Sequence, residues 1–165
     1  MKTLVLLRHA KSSWDDPGLP DFERQLNPRG LRDASVLGQR LAARGFQPDR
    51  IVVSPAQRSR QTATLVAAEL GCEELIEYAA EIYEASLDEL LKVISNFDDG
   101  DGIVLLVGHN PGISELAAVL LGTPYENLPT CGMVSTNFSV GSWRLIEEGG
   151  GVEVLRDTPK APLEA

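Results

Sequence analysis

Residues 4–14 read LVLLRHAKSSW, which is four apolar residues followed by an arginine, a histidine and a short polar segment. An uninterrupted apolar run of this length is typical of a strand buried on both faces, as in a parallel sheet with helices on either side. Such sheets bind ligands beyond the carboxyl ends of their strands. We therefore expect Arg8 and His9, which follow the run, to lie at a ligand site. Paired guanidinium N–H groups suit a phosphate or a carboxylate, and a neutral imidazole can act as nucleophile or base.

Two later strands repeat this arrangement. Residues 50–53 (RIVV) predict a short strand, and Arg58 follows in the first turn of the next helix. Residues 103–107 (IVLLV) predict the most buried strand, which runs into His109, the second of only 2 histidines in the chain. Because the carboxyl ends of parallel strands share one edge of a sheet, we expect His9, Arg58 and His109 to meet there.

The segments between these strands carry apolar residues at helical spacing, which predicts alternating strands and helices. Toward the C-terminus, residues 133–140, 143–146 and 152–155 predict strands separated by glycine-containing turns. The pattern therefore predicts an α/β fold, a three-layer α/β/α sandwich with a mainly parallel central sheet and an antiparallel C-terminal edge. Residues 12–25 contain Pro17, Gly18 and Pro20 with several acidic residues and predict an irregular loop over the strand ends. The length of 165 residues predicts a single domain over residues 1–165.

The chain has 24 acidic and 15 basic residues and a formal net charge of -9. This balance disfavours nonspecific binding to nucleic acid or to an anionic membrane, so we expect neither as a partner. No segment is apolar over the length of a membrane span and the N-terminus carries no secretion signal, so we expect a cytoplasmic protein. Cys72 and Cys131 lack metal-ligand spacing, and we expect them to be thiols of the core.

Two histidines and two arginines around one point suit a phosphoryl group, because guanidinium groups bind its oxygens and an imidazole can attack phosphorus. A metal site fits less well, since it would usually add carboxylates or further histidines. A serine hydrolase fits less still. Residues 108–112 (GHNPG) place a histidine where the nucleophile-elbow motif requires a serine.

Three segments resemble motifs of the histidine phosphatase superfamily, which includes phosphoglycerate mutases, acid phosphatases and small phosphohistidine phosphatases. Residues 8–10 (RHA) resemble its Arg-His-Gly signature with alanine in place of glycine, residues 54–62 (SPAQRSRQT) resemble its second motif, and residues 108–110 (GHN) its third. The resemblance spans nearly the whole chain. In length and opening motif the chain is most similar to the phosphohistidine phosphatases of the SixA type.

This resemblance implies that His9 is the catalytic nucleophile and forms a phosphohistidine intermediate, which water then hydrolyses. Arg8, Arg58 and His109 would bind the phosphoryl oxygens. Neither a metal nor another cofactor would be required. Preorganised positive charge is what a phosphoryl group needs as charge spreads over its equatorial oxygens, so the physical chemistry agrees with these roles.

The remaining site predictions concern the leaving group and the surroundings of the phosphate. In many members of the family an acidic residue after the third strand protonates the leaving group, and Glu81 is the nearest match, with Glu84 next. Lys11, Ser12 and Arg24 border the predicted site and are candidate substrate-binding residues.

Three functions remain open at this point. The short chain has room only for the core and the loop over residues 12–25, so the site should be open, which favours phosphohistidine on a protein. The alternative is a broad phosphomonoesterase or sugar-phosphate phosphatase that acts on small phosphorylated metabolites. A third possibility, from another class, is a module that binds a phosphorylated ligand without catalysis.

Overall fold

The computed structural model describes residues 1–161, in which strands and helices alternate. The strands are β1 (Lys2–Arg8), β2 (Arg50–Val53), β3 (Ile76–Tyr78), β4 (Ile103–Gly108), β5 (Met133–Phe138) and β6 (Gly151–Asp157). The helices are α1 (Pro28–Ala43), α2 (Gln57–Leu70), α3 (Leu87–Ser95) and α4 (Gly112–Leu121).

The six strands form one sheet in the order β3-β2-β4-β1-β5-β6. Strands β3, β2, β4 and β1 are parallel to one another. Strand β5 runs antiparallel to β1, and β6 runs antiparallel to β5. The predicted α/β fold, with a mainly parallel sheet and an antiparallel C-terminal edge, is confirmed.

Strand β1 is buried on both faces, as its apolar run predicts. Val5 and Leu7 belong to one core cluster, which α1 and α2 cover. Leu4 and Leu6 belong to a second cluster on the opposite face, which α3 and α4 cover. Because successive side chains of a strand point to opposite faces, one continuous apolar run supplies both cores. The result is the predicted three-layer sandwich.

The register of the parallel strands brings their carboxyl ends into line. Arg8 pairs with Gly108, and Val53 pairs with Val107. The residues that follow β1, β4 and β2 therefore leave the sheet at one edge, where ligands of parallel sheets bind.

The segment between β1 and α1 is irregular apart from one short 3-10 turn, Asp21–Glu23. Asn27 caps α1 by accepting the N–H of Gly30 at 2.8 Å, and Pro28 occupies the first position of the helix. A Cβ atom at Gly30 would collide with the carbonyl oxygen of Lys11. Glycine at this position therefore allows α1 to lie directly against the start of the loop.

The prediction of a strand over residues 143–146 is wrong. Trp143–Leu145 form a 3-10 turn. The buried indole N–H of Trp143 donates to the carbonyl of Asp101 at 2.8 Å, and its backbone N–H donates to the carboxylate of Asp99 at 2.9 Å. These two bonds hold the backbone in a turn outside the sheet, which apolar composition alone does not reveal.

The sequence prediction for the two cysteines is confirmed. Cys72 and Cys131 are buried free thiols, as expected. No helix within residues 1–161 has both the length and the apolar character needed to cross a membrane. The single domain over residues 1–165 stays a prediction, and its final residues 162–165 lie outside the described part of the chain.

Candidate active site

His9 and His109 follow the adjacent strands β1 and β4, and their rings lie side by side. The ring centroids are 5.2 Å apart and the ring planes are tilted by 55°. Ser54 follows β2 in the same way, and its hydroxyl oxygen lies 2.7 Å from His109 Nε2. The strand ends thus bring together side chains from three distant parts of the chain.

His9 is held with one nitrogen engaged and the other free. Its Nδ1 lies 2.7 Å from the carbonyl oxygen of Ala10, and because a carbonyl can only accept, Nδ1 carries the proton. Burial, together with the positive charges of Arg58, Arg8 and Arg24 and against the opposing effect of the Ala10 bond, lowers the pKa of His9 to about 4. At neutral pH the ring is therefore uncharged. Its Nε2 makes no hydrogen bond within residues 1–161 and presents a lone pair.

A threonine of α2 fixes the backbone on which this arrangement depends. Thr62 Oγ1 accepts the N–H of Ala10 at 3.0 Å and donates to the carbonyl of Arg58 at 2.8 Å. One buried hydroxyl therefore ties the end of β1 to the first turn of α2. This connection sets the position of the Ala10 carbonyl relative to Arg58.

His109 is held through its other nitrogen. Its Nε2 is 2.7 Å from Ser54 Oγ and 3.4 Å from Ser59 Oγ, whereas its Nδ1 is buried without a partner. Burial lowers the pKa of His109 to about 3, and the neighbouring His9 and Arg58 act in the same direction. Both histidines of the site are therefore neutral over the physiological pH range.

Arg8 and Arg58 are anchored in a similar way. Arg8 Nη1 donates to the carbonyl of Leu128 at 2.9 Å, and Arg58 Nη1 donates to the carbonyl of Asp21 at 2.7 Å. Arg58 Nη2 also donates to the Asp21 carboxylate at 3.0 Å. Burial lowers the pKa of Arg8, which nevertheless stays a cation. Arg8 is thus fixed through one terminal nitrogen and Arg58 through both, while the Nε atom of each makes no hydrogen bond within residues 1–161.

Within residues 1–161, three polar side-chain atoms of the site are buried without a partner, and they indicate what the site can bind. Within residues 1–161, the buried side-chain nitrogen or oxygen atoms without a partner are Arg8 Nε, Arg58 Nε and His109 Nδ1. Leaving a polar group buried and unpaired costs about 1–3 kcal/mol. All three atoms belong to the residues predicted to bind a phosphoryl group. An oxyanion supplies acceptors for both guanidinium N–H groups beside the free Nε2 of His9.

Arg24 also lies at the site, in agreement with its predicted proximity. It is 8% exposed, its Nε donates to the Asp21 carboxylate at 3.2 Å, and its guanidinium carbon lies 3.5 Å from the ring centroid of Trp14. Its charge is close enough to lower the pKa of His9. Arg24 therefore adds positive potential at His9.

Within residues 1–161, the side chains of Lys11 and Ser12 make no hydrogen bond to the residues of the candidate site. The backbone carbonyl of Lys11 accepts the N–H of Asn27, and Ser12 is buried in an isolated bridge with Leu26. Both contacts fix the course of the loop. A role in substrate binding stays a prediction for these two residues and for Arg24.

Glu81 is separated from the four central residues. Ile82 is buried in the core, and Glu81 beside it points into a cavity of ≈ 400 Å³ lined also by Val52 and Phe97. His109 does not line that cavity. Glu84 instead lines a second cavity of ≈ 400 Å³ together with His109. The identity of the proton donor stays a prediction, and the position of Glu84 fits that role better than the position of Glu81.

Three residues of the site were not predicted. Ser54 carries the same signal as the two histidines, since it is the first residue after a buried parallel strand, and that signal could have found it. Asp21 and Tyr83 carry no such signal. Asp21 accepts hydrogen bonds from Arg24, which is close in sequence, from Arg58, which is 37 residues away, and from the hydroxyl of Tyr83, which is 62 residues away. Only the folded chain shows that these residues are connected.

Comparison with known proteins agrees with this geometry. Residues 4–90 match the family model of the histidine phosphatase superfamily (branch 1). An uncharacterized protein of Mycobacterium tuberculosis is 35% identical over 153 residues, which cover 87% of this chain and 93% of that protein.

Two solved structures are similar over most of the chain. The candidate phosphohistidine phosphatase SixA from Agrobacterium tumefaciens is 32% identical with a TM-score of 0.76, and the match covers 83% of this chain and 92% of that one. The corresponding SixA candidate from Nakamurella multipartitia is 26% identical with a TM-score of 0.81, and the match covers 97% of both chains. Together with the family model, these matches show that the chain belongs to the histidine phosphatase superfamily, in its SixA-type branch.

Proposed function

We propose that this protein hydrolyses phosphohistidine on other proteins through a covalent phosphoryl intermediate on His9 Nε2. The observation that carries the proposal is the set of buried, unmatched nitrogens on Arg8, Arg58 and His109 beside the free Nε2 of a neutral His9. A nucleophile and a preorganised clamp for an oxyanion are the two components that phosphoryl transfer to a histidine requires.

In the first step, the Nε2 lone pair of His9 attacks phosphorus. The Nε2–P bond forms while the bond between phosphorus and the leaving nitrogen of the substrate breaks. The ring of His9 becomes positively charged, and the Ala10 carbonyl that accepts from Nδ1–H stabilises it. Arg8, Arg58 and His109 hold the equatorial oxygens, over which negative charge is spread.

In the second step, a water oxygen attacks the phosphorus of the intermediate. The new O–P bond forms, the Nε2–P bond breaks, and inorganic phosphate leaves. The electron pair of the broken bond returns to Nε2, and the water protons pass to phosphate and solvent. The ring returns to the neutral state with the proton on Nδ1, ready for another cycle.

A phosphohistidine substrate suits this site because its leaving nitrogen belongs to an imidazole. When the other ring nitrogen of the substrate carries a proton, the imidazole leaves as a neutral molecule and needs no acid. The surroundings also favour a substrate carried by a protein, since two aromatic side chains near the site are exposed. Trp14, which stacks on Arg24, is 68% exposed, and Phe22, which packs against Tyr83, is 41% exposed. The similarity to SixA-type structures supports the same substrate class.

A second candidate function is the hydrolysis of small phosphate monoesters, and the position of Glu84 favours it. An alkoxide leaving group needs a proton, and Glu84 lines the cavity beside His109. We expect Glu84→Gln to lower kcat about 10-fold on an alkyl phosphate and much less on a phosphohistidine peptide. Glu81→Gln is the matched control, because Glu81 lines a different cavity. Equal effects of the two substitutions would contradict the assignment to Glu84.

A panel of substrates tests the principal proposal. Rates are measured on a phosphohistidine-carrying phosphotransfer domain, a phosphoserine peptide, a sugar phosphate and an aryl phosphate, each with and without a chelator. We expect the highest kcat/KM on phosphohistidine and no effect of the chelator. A preference of 10-fold or more for the sugar phosphate would support the second function instead.

A further inference from the structure

Asp21 makes more polar contacts at the site than any residue predicted from the sequence. Its backbone carbonyl accepts from Arg58 Nη1 at 2.7 Å, and its carboxylate accepts from Arg58 Nη2 at 3.0 Å. The same carboxylate accepts from the Tyr83 hydroxyl at 2.6 Å and from Arg24 Nε at 3.2 Å. One aspartate thus joins two arginines and a tyrosine.

The contacts with Arg58 fix the orientation of its guanidinium. Asp21 engages both terminal nitrogens, while Nε–H along the side of the group has no partner. A guanidinium binds a phosphoryl group best when its planar array of N–H groups is aligned with the oxygens. Asp21 holds one end of that array and leaves its side available to a ligand.

Asp21 is itself held firmly enough to orient a neighbour. Its side chain is 48% exposed, but Tyr83 and Arg24 occupy its oxygens, and the Arg58 side chain against it is only 7% exposed. Tyr83 also packs edge-on against His109 with ring centroids 5.6 Å apart. The carboxylate therefore connects the loop over residues 12–25 to both sides of the phosphate site. Such a buried arginine contact differs from an ion pair between two exposed side chains, which contributes little.

We propose that Asp21 is a positioning residue for phosphoryl transfer, which acts through Arg58 by aligning its guanidinium with the phosphoryl oxygens, and that Tyr83 supports Asp21 in this role. The inference rests on the proposed function, because it takes Arg58 as a phosphate ligand. It assigns a role to the loop between β1 and α1 that the phosphate-binding residues alone do not require.

Two substitutions in the same 3-10 turn test the inference. Asp21→Asn removes the charge that faces Arg58, whereas Glu23→Gln removes an exposed charge that makes no ion pair within residues 1–161. With p-nitrophenyl phosphate, we expect kcat to fall at least about 10-fold in Asp21→Asn and to change less than about 2-fold in Glu23→Gln. Equal kcat values for the wild type and Asp21→Asn would overturn the inference.

The binding of inorganic phosphate separates alignment from simple electrostatics. We expect its dissociation constant, measured by calorimetry, to change less than about 3-fold in Asp21→Asn, because the loss of a nearby negative charge offsets the poorer alignment. If the carboxylate merely competed with phosphate for Arg58, the variant would bind phosphate more tightly and would keep or increase its kcat. That result would overturn the positioning role.

A double-mutant cycle shows whether Asp21 acts through Arg58. In an Arg58→Lys background, we expect Asp21→Asn to lower kcat less than about 2-fold, because an ammonium group has no planar array to align. A full 10-fold loss in that background would overturn the inference. Tyr83→Phe provides a second variant, for which we expect a loss of about 3-fold in kcat with an unchanged thermal unfolding midpoint.

The same experiments distinguish this inference from the function on which it rests. A wild-type protein that binds phosphate but hydrolyses none of the phosphorylated substrates overturns the proposed function. An active wild type with an equally active Asp21→Asn variant overturns the role of Asp21 alone.

Discussion

His9 and His109 occupy equivalent places in the sheet, yet the protein holds them differently. Each follows a buried parallel strand, and burial keeps each of them neutral by lowering its pKa. His9 is anchored through Nδ1 by a backbone carbonyl, so its Nε2 keeps a free lone pair. His109 is anchored through Nε2 by the hydroxyl of Ser54, and its Nδ1 is buried. Equivalent strand positions thus supply one ring whose Nε2 is free and one whose Nε2 is engaged by a serine.

The difference shows that position at a strand end does not by itself decide the role of a histidine. The decisive feature is which nitrogen is engaged and whether the partner can donate. A carbonyl can only accept, so it fixes the proton of His9 on Nδ1, whereas a serine hydroxyl can either donate or accept. The proposed roles, nucleophilic attack for His9 and phosphoryl binding for His109, rest on this distinction, and three predictions test them.

The largest effect is expected from His9→Ala. Removal of the nucleophile should lower kcat by about 10⁴-fold or more, because no covalent intermediate can form. The measurement is turnover together with trapping of a radiolabelled phosphoenzyme that is labile to acid and stable to base. A phosphoenzyme that persists unchanged in this variant would show that the nucleophile lies elsewhere.

A smaller effect is expected from His109→Ala. Loss of one preorganised group that faces the phosphoryl oxygens should lower kcat by about 10²- to 10³-fold, while the phosphoenzyme still forms slowly on His9. Rapid-quench measurement of the labelled intermediate separates this variant from His9→Ala. If both variants lost the intermediate completely, the difference in role between the two rings would be contradicted.

The smallest effect is expected from pH. The pKa of His9 lies at about 4, against an ordinary value of 6.5, so kcat/KM should stay constant on this account down to pH 4 and then fall about 10-fold per pH unit as Nε2 becomes protonated. A limb centred near pH 6.5 instead would show that His9 is not buried and neutral as described.

The same shift makes a prediction about stability. Between pH 6.5 and about pH 4 the unfolded chain binds a proton at His9 that the folded protein does not bind, so stability falls as the pH drops through this window. The free energy of unfolding lost through His9 over this window is on the order of 3 kcal/mol. Urea unfolding at pH 7 and pH 4 should show the wild type losing more stability than His9→Ala by about this amount. Equal losses would contradict the pKa of the buried ring.

The sequence predicted the fold and the central residues because the relevant signals are local. Apolar runs identify β1 and β4 as strands buried on both faces, and the residue that follows each run must lie at the sheet edge. The misassigned strand over residues 143–146 shows where this reasoning fails. Trp143 is apolar like a strand residue, but bonds to Asp99 and Asp101 hold it in a turn. Those partners lie more than 40 residues away, beyond the reach of any local pattern.

The different positions of Glu81 and Glu84 in the structure also depend on packing that no local pattern shows. The sequence places both after β3, and a family pattern favours the first of them. In the folded protein the intervening Ile82 is buried in the core, so the backbone sends Glu81 toward α3, while Glu84 reaches the cavity beside His109. Within a short segment, the residue that is buried in the core determines the directions of the side chains beside it. Which residue is buried depends on tertiary packing.

The sequence by itself determined that Arg8, His9, Arg58 and His109 leave the sheet at one edge, because strand periodicity and parallel connections follow from local hydrophobic pattern. Only the tertiary structure decided that the Ala10 carbonyl leaves Nε2 of His9 free and that Asp21 joins Arg58 to Tyr83. The Ala10 backbone is held by Thr62, and Asp21 is 37 residues from Arg58, so both arrangements depend on contacts between distant segments. The strands decide which residues can meet, and the packing of the loops against the sheet sets the distances between them.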